Sequence, residues 1–440
     1  MPSLPPTSMT TERPRTLKFV LASYGTRGDV EPTIAIGREL QRRGHGVRIG
    51  VPINLVRFAE DVGLEAVPYG PDMRDFLADE FLRDFWTDFR RSFWTIREPI
   101  RLVRELWQPC LRHWAEMSST LTSLAEGADV LFSGLVYQEL AASVAEYYDI
   151  PMATLHYFPI RPSRQLYPHV PGPLVRSGMT FFDWLCWRIS KKAEDAQRRE
   201  LGLPMATRPS PRRIERDALE IQAYDEVCFP GLADEWRNWG DRRPFVGALT
   251  MGMTTDADAE VAAWIAAGSP PICFGFGSMP LAKPPAEMVE MISDACAQLG
   301  ERALICAGWA DLSDVPRFHH VKVVSAVNYA ATFPKCRGVV HHGGSGTTAA
   351  AMRAGVPALI LWTAGDQPHW GAQLKRLKVG TTRRFSSITR ESLVSDLRCI
   401  LAPEYAVAAR DLAARMTPAA ESVAKATDVL EKFAAVRRFV

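Results

Sequence analysis

Three short stretches bring together residue types that can bind an anion, move a proton or read hydroxyl groups. The densest is His341-His342-Gly343-Gly344-Ser345-Gly346-Thr347-Thr348. An apolar run ends at the histidines, glycines turn the chain, and an alanine-rich helical pattern follows and stops before Gly355. A helix opening from such a turn presents unpaired N–H groups and the positive end of its dipole, a site suited to phosphate. Ser345, Thr347 and Thr348 add hydroxyl donors, and His341 adds an imidazole. No GxxxxGK occurs, and no GxGxxG with a downstream acid, which argues against an ATPase loop and a dinucleotide site. A second glycine-rich turn, Phe274–Pro280, places Gly277 and Ser278 either to meet the same phosphate or to form a plain turn.

Gly25-Thr26-Arg27-Gly28-Asp29 follows an apolar run at the start of the chain. It reads as a displayed carboxylate able to accept a proton, or as an exposed turn with a local ion pair. Asp366 and Gln367 follow a third apolar run, where ligands bind in open α/β sheets. A carboxylate beside an amide can read several sugar hydroxyls; the alternative is an N-cap for the next helix. Asp256-Ala257-Asp258 has the spacing of a metal-binding DxD, but reads as the solvated start of a charged helix. The eight cysteines form no CxxC and no Cys/His cluster of zinc spacing, so reduced core thiols are expected and no metal site is assigned.

The elements that must position these residues repeat one grammar. Strands are expected at 17–23, 47–51, 129–133 and 152–156, with a helix over 32–43. The second half offers strands at 271–275, 303–307, 321–324, 338–340 and 358–362, and a helix over 286–299. Alternation of strand and helix predicts parallel sheets covered on both faces, in two α/β halves meeting near 237–256. Hydrophobic content of 47% and charged content of 23% belong to an ordinary globular chain. A net charge of +2 gives no footprint for nucleic acid. Residues 1–15, rich in Pro, Ser and Thr, read as a disordered tail without the apolar segment of a secretory signal. The stretch 81–114 holds four Phe, four Trp and seven Arg. It suits an apolar acceptor and anionic lipid headgroups, or two helices packing an aromatic face on the core.

GTRGDVEP, HHGGSGTT and GDQPHWG resemble the glycosyltransferase family that includes plant secondary-metabolite, sterol and antibiotic enzymes. The resemblance runs from Leu17 onward and is greatest to the antibiotic and sterol branch. Together with Arg198–Pro204 it extends to mycobacterial enzymes of the glycopeptidolipid type. It implies an α/β GT-B fold, two Rossmann-like domains facing across a cleft. The implied division is 16–240 for the acceptor, 241–256 as linker, 257–415 for the nucleotide sugar, and 416–440 as a helix returning to the first domain.

The same resemblance gives the residues roles. His341, Gly343, Gly344, Ser345, Gly346, Thr347 and Ser278 hold the donor diphosphate. Asp366 and Gln367 hold the sugar, and Val327 lies against the base. Asp29 is the general base, oriented by Gly25, Thr26, Arg27 and Gly28. Phe81, Phe85, Trp86, Phe89, His156 and Tyr157 belong to the acceptor region. Plant relatives carry a ribose-gripping Glu where this chain has Ala349, which suits a deoxyribose donor such as a dTDP-sugar. The implied activity is inverting, metal-independent transfer of a hexose or deoxyhexose, of rhamnose or 6-deoxytalose type, to a hydroxyl of a lipid, lipopeptide or other apolar product. No cofactor is implied beyond the co-substrate. Alternatives are a UDP-glucose-dependent sterol-type enzyme, a nucleotide-sugar epimerase or hydrolase, and a non-catalytic sugar-nucleotide or lipid-binding protein. The expected location is cytoplasmic, in peripheral contact with the inner face of the plasma membrane.

Overall fold

The computed structural model describes residues 16–436 apart from 75–110, 210–213, 215, 278–282, 309 and 311–313. Among these, twelve strands form two six-stranded sheets. The first contains β1 (Lys18–Ala22), β2 (Gly46–Val51), β3 (Glu65–Pro68), β4 (Val130–Ser133), β5 (Met152–His156) and β6 (Leu219–Gln222), in the order β3-β2-β1-β4-β5-β6. The second contains β7 (Ile272–Gly275), β8 (Ala303–Cys306), β9 (Val321–Val324), β10 (Gly338–His341), β11 (Ala358–Trp362) and β12 (Gly380–Arg384), in the order β12-β11-β10-β7-β8-β9. Every pairing is parallel. Central strands such as Phe19-Val20-Leu21-Ala22 are buried along their length, because helices cover both faces.

The helix expected from Pro32 begins five residues earlier, spanning Arg27–Arg42. Thr26 and Asp29 form a capping box, with the Asp29 carboxylate accepting from the Thr26 N–H at 2.8 Å. The reactive turn is therefore the first turn of a helix. Pro32 forgoes only the bond to the carbonyl four residues back.

The last helix, Ala419–Val436, packs on this first one. Ala426, Leu430 and Ala434 share a core cluster with Ile34 and Leu40, while Arg43 bonds Asp428 and Glu431, and His45 bonds Glu431 at 2.7 Å. Arg353 ties the two passages between the halves. Its guanidinium donates to Ala248 O and Thr250 Oγ1 on one, and to Thr417 O and Ser422 Oγ on the other.

Candidate functional site

In each sheet the first strand has neighbours reached by crossovers in opposite directions, β2 and β4 beside β1, β8 and β10 beside β7. Ligands of open α/β sheets bind beyond the strand ends at such a point. Both points open onto one cleft of about 1900 Å³, lined from both halves. Single small-molecule pockets run to about 1,000 Å³, so this cleft has room for two ligands.

Asp29 stands on the β1 side. Thr26 N–H and Oγ1 both donate to Oδ2, at 2.8 and 3.1 Å, which leaves Oδ1 for an incoming group. Ser23 and Tyr157 hydroxyls hold the Asp29 carbonyl at 2.9 and 2.6 Å. Gly25 has φ +142°, and a Cβ there would lie 2.3 Å from Asp29 Oδ2, so only glycine lets the carboxylate fold back. Arg27 pairs with Glu31 at 3.0 Å and lies over Phe58, so the local ion pair and the displayed acid both exist.

The second half supplies the glycine-rich loop expected to meet an anion. His341 ends β10 beside Gly275 of β7. Its Nδ1 accepts the Gly343 N–H at 3.1 Å, so the proton sits on Nε2, which is buried with no partner. Burial and the neighbouring His342 push the imidazole down to about 3, so it is a neutral donor. Helix Ser345–Arg353 starts at the cleft wall, where Gly344, Ser345, Gly346 and Thr347 line the space. Gly343 lies behind them, and Thr348 turns its hydroxyl back to Gly344 O at 2.9 Å instead of facing a ligand. His342, not singled out from the sequence, lines the cleft between Gly277 and Gly344. Ser278 lies outside the described residues, though Gly277 before it lines the cleft.

Asp366 takes the N-cap position of helix Gln367–Arg376 without a side-chain capping bond, and lines the cleft. Burial, then the nearby charge of Asp29, raises its carboxyl to about 7. Burial likewise raises Asp29, against hydrogen bonds from Thr26. Asp366 thus senses the charge of Asp29. Gln367 spends its Oε1 on Thr363 and Ala364 N–H groups, leaving its amide nitrogen for a ligand. Val327 lines the far end on a loop fixed by Asp258, which accepts from Thr255 and the Asn328 N–H. The Asp256/Asp258 pair stands at the start of helix Asp258–Ala266, as expected, with Asp256 exposed and Asp258 also tethering the Val327 loop.

His156 must be reassigned. It is fully buried, bonded to Thr154 and Gln222, and lies beneath the cleft wall. A strand's side chains alternate across the sheet, and position 156 points inward. Tyr157, one residue on, does line the cleft. Phe81, Phe85, Trp86 and Phe89 lie outside the described residues. The described apolar wall comes from Phe158 to Val170 and the long helix Gly172–Glu200. Its Phe158 and Tyr167 rings contact His369, 6.2 and 5.4 Å away, joining this wall to the helix that follows Asp366. The Ala349 argument also moves. Ala349 is buried away from the cleft and Ala350 lines it, so either way that helix offers no carboxylate there.

The raised Asp366 carboxyl carries a stability consequence. An ordinary aspartate ionises near 4, so ionising Asp366 costs the folded state increasingly between about pH 4 and 7. Stability present at acid pH is lost as pH rises through 7. Asp366→Asn should therefore raise Tm more at pH 8 than at pH 5, by about 2–4 °C for each kcal/mol relieved. Calorimetric melts at the two pH values check this; an equal change at both would refute the strained carboxylate.

Residues 19–113 match the glycosyltransferase family 28 N-terminal domain, and 293–436 match the C-terminal domain of erythromycin biosynthesis protein CIII-like proteins. An uncharacterized glycosyltransferase of Mycobacterium tuberculosis is 58% identical over 419 residues, covering 94% of this chain and 98% of the relative. A sterol 3-beta-glucosyltransferase of Arabidopsis thaliana is 29% identical over 439 residues, covering 94% of this chain and 68% of the relative. Among solved structures, a spinosyn rhamnosyltransferase complexed with spinosyn aglycone superposes with a TM-score of 0.65 at 18% identity, covering 94% of this chain and 100% of the other.

Proposed function

This chain belongs to the GT-B glycosyltransferases, and on that premise we propose that it transfers a deoxyhexose or hexose from a dTDP-sugar to a hydroxyl of a lipid, lipopeptide or other apolar product, with inversion and without a metal. The observation that carries this reading is that Asp29, Asp366 and the Gly344–Thr347 helix start line one cleft, with His341 buried behind that loop.

The diphosphate sits on the Ser345–Thr347 N–H groups, with His341 Nε2–H beneath it. Asp366 and the Gln367 amide hold sugar hydroxyls. The acceptor hydroxyl lies against Asp29 Oδ1. Its oxygen attacks the anomeric carbon as Asp29 takes the proton, the bond to the diphosphate breaks, and its electron pair leaves with the phosphate. The transition state resembles that of glycoside hydrolysis. Charge growing on the diphosphate is met by the helix N-terminus and a neutral imidazole. Closure of the cleft excludes water, which would otherwise consume the donor.

Transfer to an apolar acceptor is supported by the Phe158–Phe182 wall, and a deoxyhexose by the likeness to a rhamnosyltransferase. A UDP-glucose-dependent sterol enzyme is the second reading, supported by the Arabidopsis relative. Both are separated by turnover with a panel of dTDP- and UDP-sugars, offered a deglycosylated lipopeptide and a sterol, with and without EDTA. The expected result is consumption of one dTDP-sugar only when an acceptor is present, with inverted product and no EDTA effect. Donor consumption without acceptor would point to an epimerase or hydrolase, and donor binding without any turnover to a binding protein.

A further inference from the structure

Helix Gly172–Glu200 carries apolar side chains on two faces. Val175, Met179, Phe182 and Cys186, spaced 4, 3 and 4 apart, line the cleft. Leu174, Phe181 and Trp184 stand on the other side, with exposures of 64%, 60% and 44%. The Phe181 and Trp184 rings stack on each other at 5.8 Å, so they cover one another and not the core. Of the eleven large apolar side chains exposed among the described residues, six lie between Tyr167 and Trp184. Scattered exposed apolar residues are normal; a cluster marks an interaction surface.

The patch has two further features. It is continuous with the cleft mouth, because Tyr167, Val170 and Phe182 are both exposed and cleft-lining. It also runs into cations. Arg188 lies seven residues after Phe181 and four after Trp184, and Lys192 four after Arg188, all on one helical face and both exposed. Neighbouring carboxylates are engaged or face elsewhere: Asp195, three residues after Lys192, pairs with Lys191 at 2.7 Å, Asp183 lines the cleft, and Glu235 pairs with Arg176 at 3.0 Å. Stacked Phe and Trp rings beside long cationic side chains suit the boundary between acyl chains and anionic headgroups.

We propose that the Leu174–Phe181–Trp184 face, with Arg188 and Lys192, docks this protein on an anionic phospholipid bilayer with the cleft mouth turned toward the lipid. The docking stands on the helix face itself; the entry of a lipid-borne acceptor through that mouth rests on the function proposed above. The contact is assigned to a described helix; of the aromatic stretch 81–114, residues 81–110 lie outside the described residues.

The test is co-sedimentation of the full chain with vesicles of phosphatidylglycerol and phosphatidylcholine, or of phosphatidylcholine alone. The wild type should bind the anionic vesicles and release as salt rises. Phe181→Ser with Trp184→Ser should weaken binding about tenfold or more. Arg188→Gln with Lys192→Gln should weaken it by about fivefold per charge and flatten the salt dependence. Donor binding by calorimetry should be unchanged in both variants, which shows that they fold. Wild type that ignores anionic vesicles, or an aromatic double variant that binds as wild type does, overturns the proposal. So does sedimentation showing that the aromatic pair instead holds two copies together. Donor turnover is measured separately, so failure of the transferase reading leaves the vesicle result intact.

Discussion

Asp29→Asn should fold, bind donor normally and lose about 10²–10⁴-fold in kcat, the contribution of a positioned general base. The substitution is selective because of how the carboxylate is held. An asparagine oxygen can still accept from the Thr26 N–H and hydroxyl, now at 2.8 and 3.1 Å from Oδ2, so the helix start survives. What disappears is proton affinity. Asp29→Ala would add the loss of a cap, about 1 kcal/mol, and confuse the two effects. In the wild type, kcat/KM should fall on the acid side, since the base must be ionised. Burial moves that limb above the range of a free aspartate. Single-turnover kinetics with pre-bound donor measures the step directly. Wild-type rates in Asp29→Asn would make the turn a cap alone and send the search for the base elsewhere in the cleft.

His341→Ala is expected to cost about 10²–10³-fold in kcat/KM, the loss associated with one donor to a developing anion. The imidazole does two jobs: Nδ1 fixes the Gly343 N–H, and Nε2–H is buried with nothing to bond. An unmet buried donor is costly, so an oxygen that reaches Nε2–H gains a full hydrogen bond. His341 is held neutral across the working range by burial, so its contribution should not vary between pH 6 and 9. Ser345→Ala removes only a hydroxyl from a site still served by backbone N–H groups, and should cost less. Calorimetric donor affinity with steady-state rates separates ground-state from transition-state loss. Equal donor affinity and rate in His341→Ala would reduce the residue to a support for Gly343.

The motifs were legible because their chemistry is local. A glycine turn between an apolar run and an alanine-rich helix shows itself in sequence order, as with Gly343 to Thr347. What the sequence concealed depends on partners far along the chain. The strand β6 reads LEIQ, with an acid in the middle; Glu220 is tolerated there because Arg161 and Arg243 meet it at 2.5 and 2.7 Å. The edge strand β12, Gly380–Arg384, is half-exposed and too polar to look like a strand. The start of the first helix was hidden by Pro32, which reads as a first-turn residue, whereas the Thr26–Asp29 box opens the helix five residues earlier. His156 was misplaced by one residue's alternation, which only the pairing of β5 with β6 resolves. His342 lacked any local signal distinguishing it from His341; the difference is which neighbour's backbone each ring meets.

The return of helix Ala419–Val436 to the first sheet sets the order in which the chain can mature. The surface it covers, around Ile34 and Leu40, is made well before its cover, whose Glu431 lies 388 residues after Arg43. Until then the first half carries an open apolar face beside a complete second half. Contacts such as Arg43 to Glu431 span nearly the whole chain, and closing so long a loop makes this step slow. Removal of helix Ala419–Val436 would therefore be felt at the opposite end of the sequence. It would appear as aggregation of the nascent N-terminal half, while the sugar-nucleotide half retained its own core.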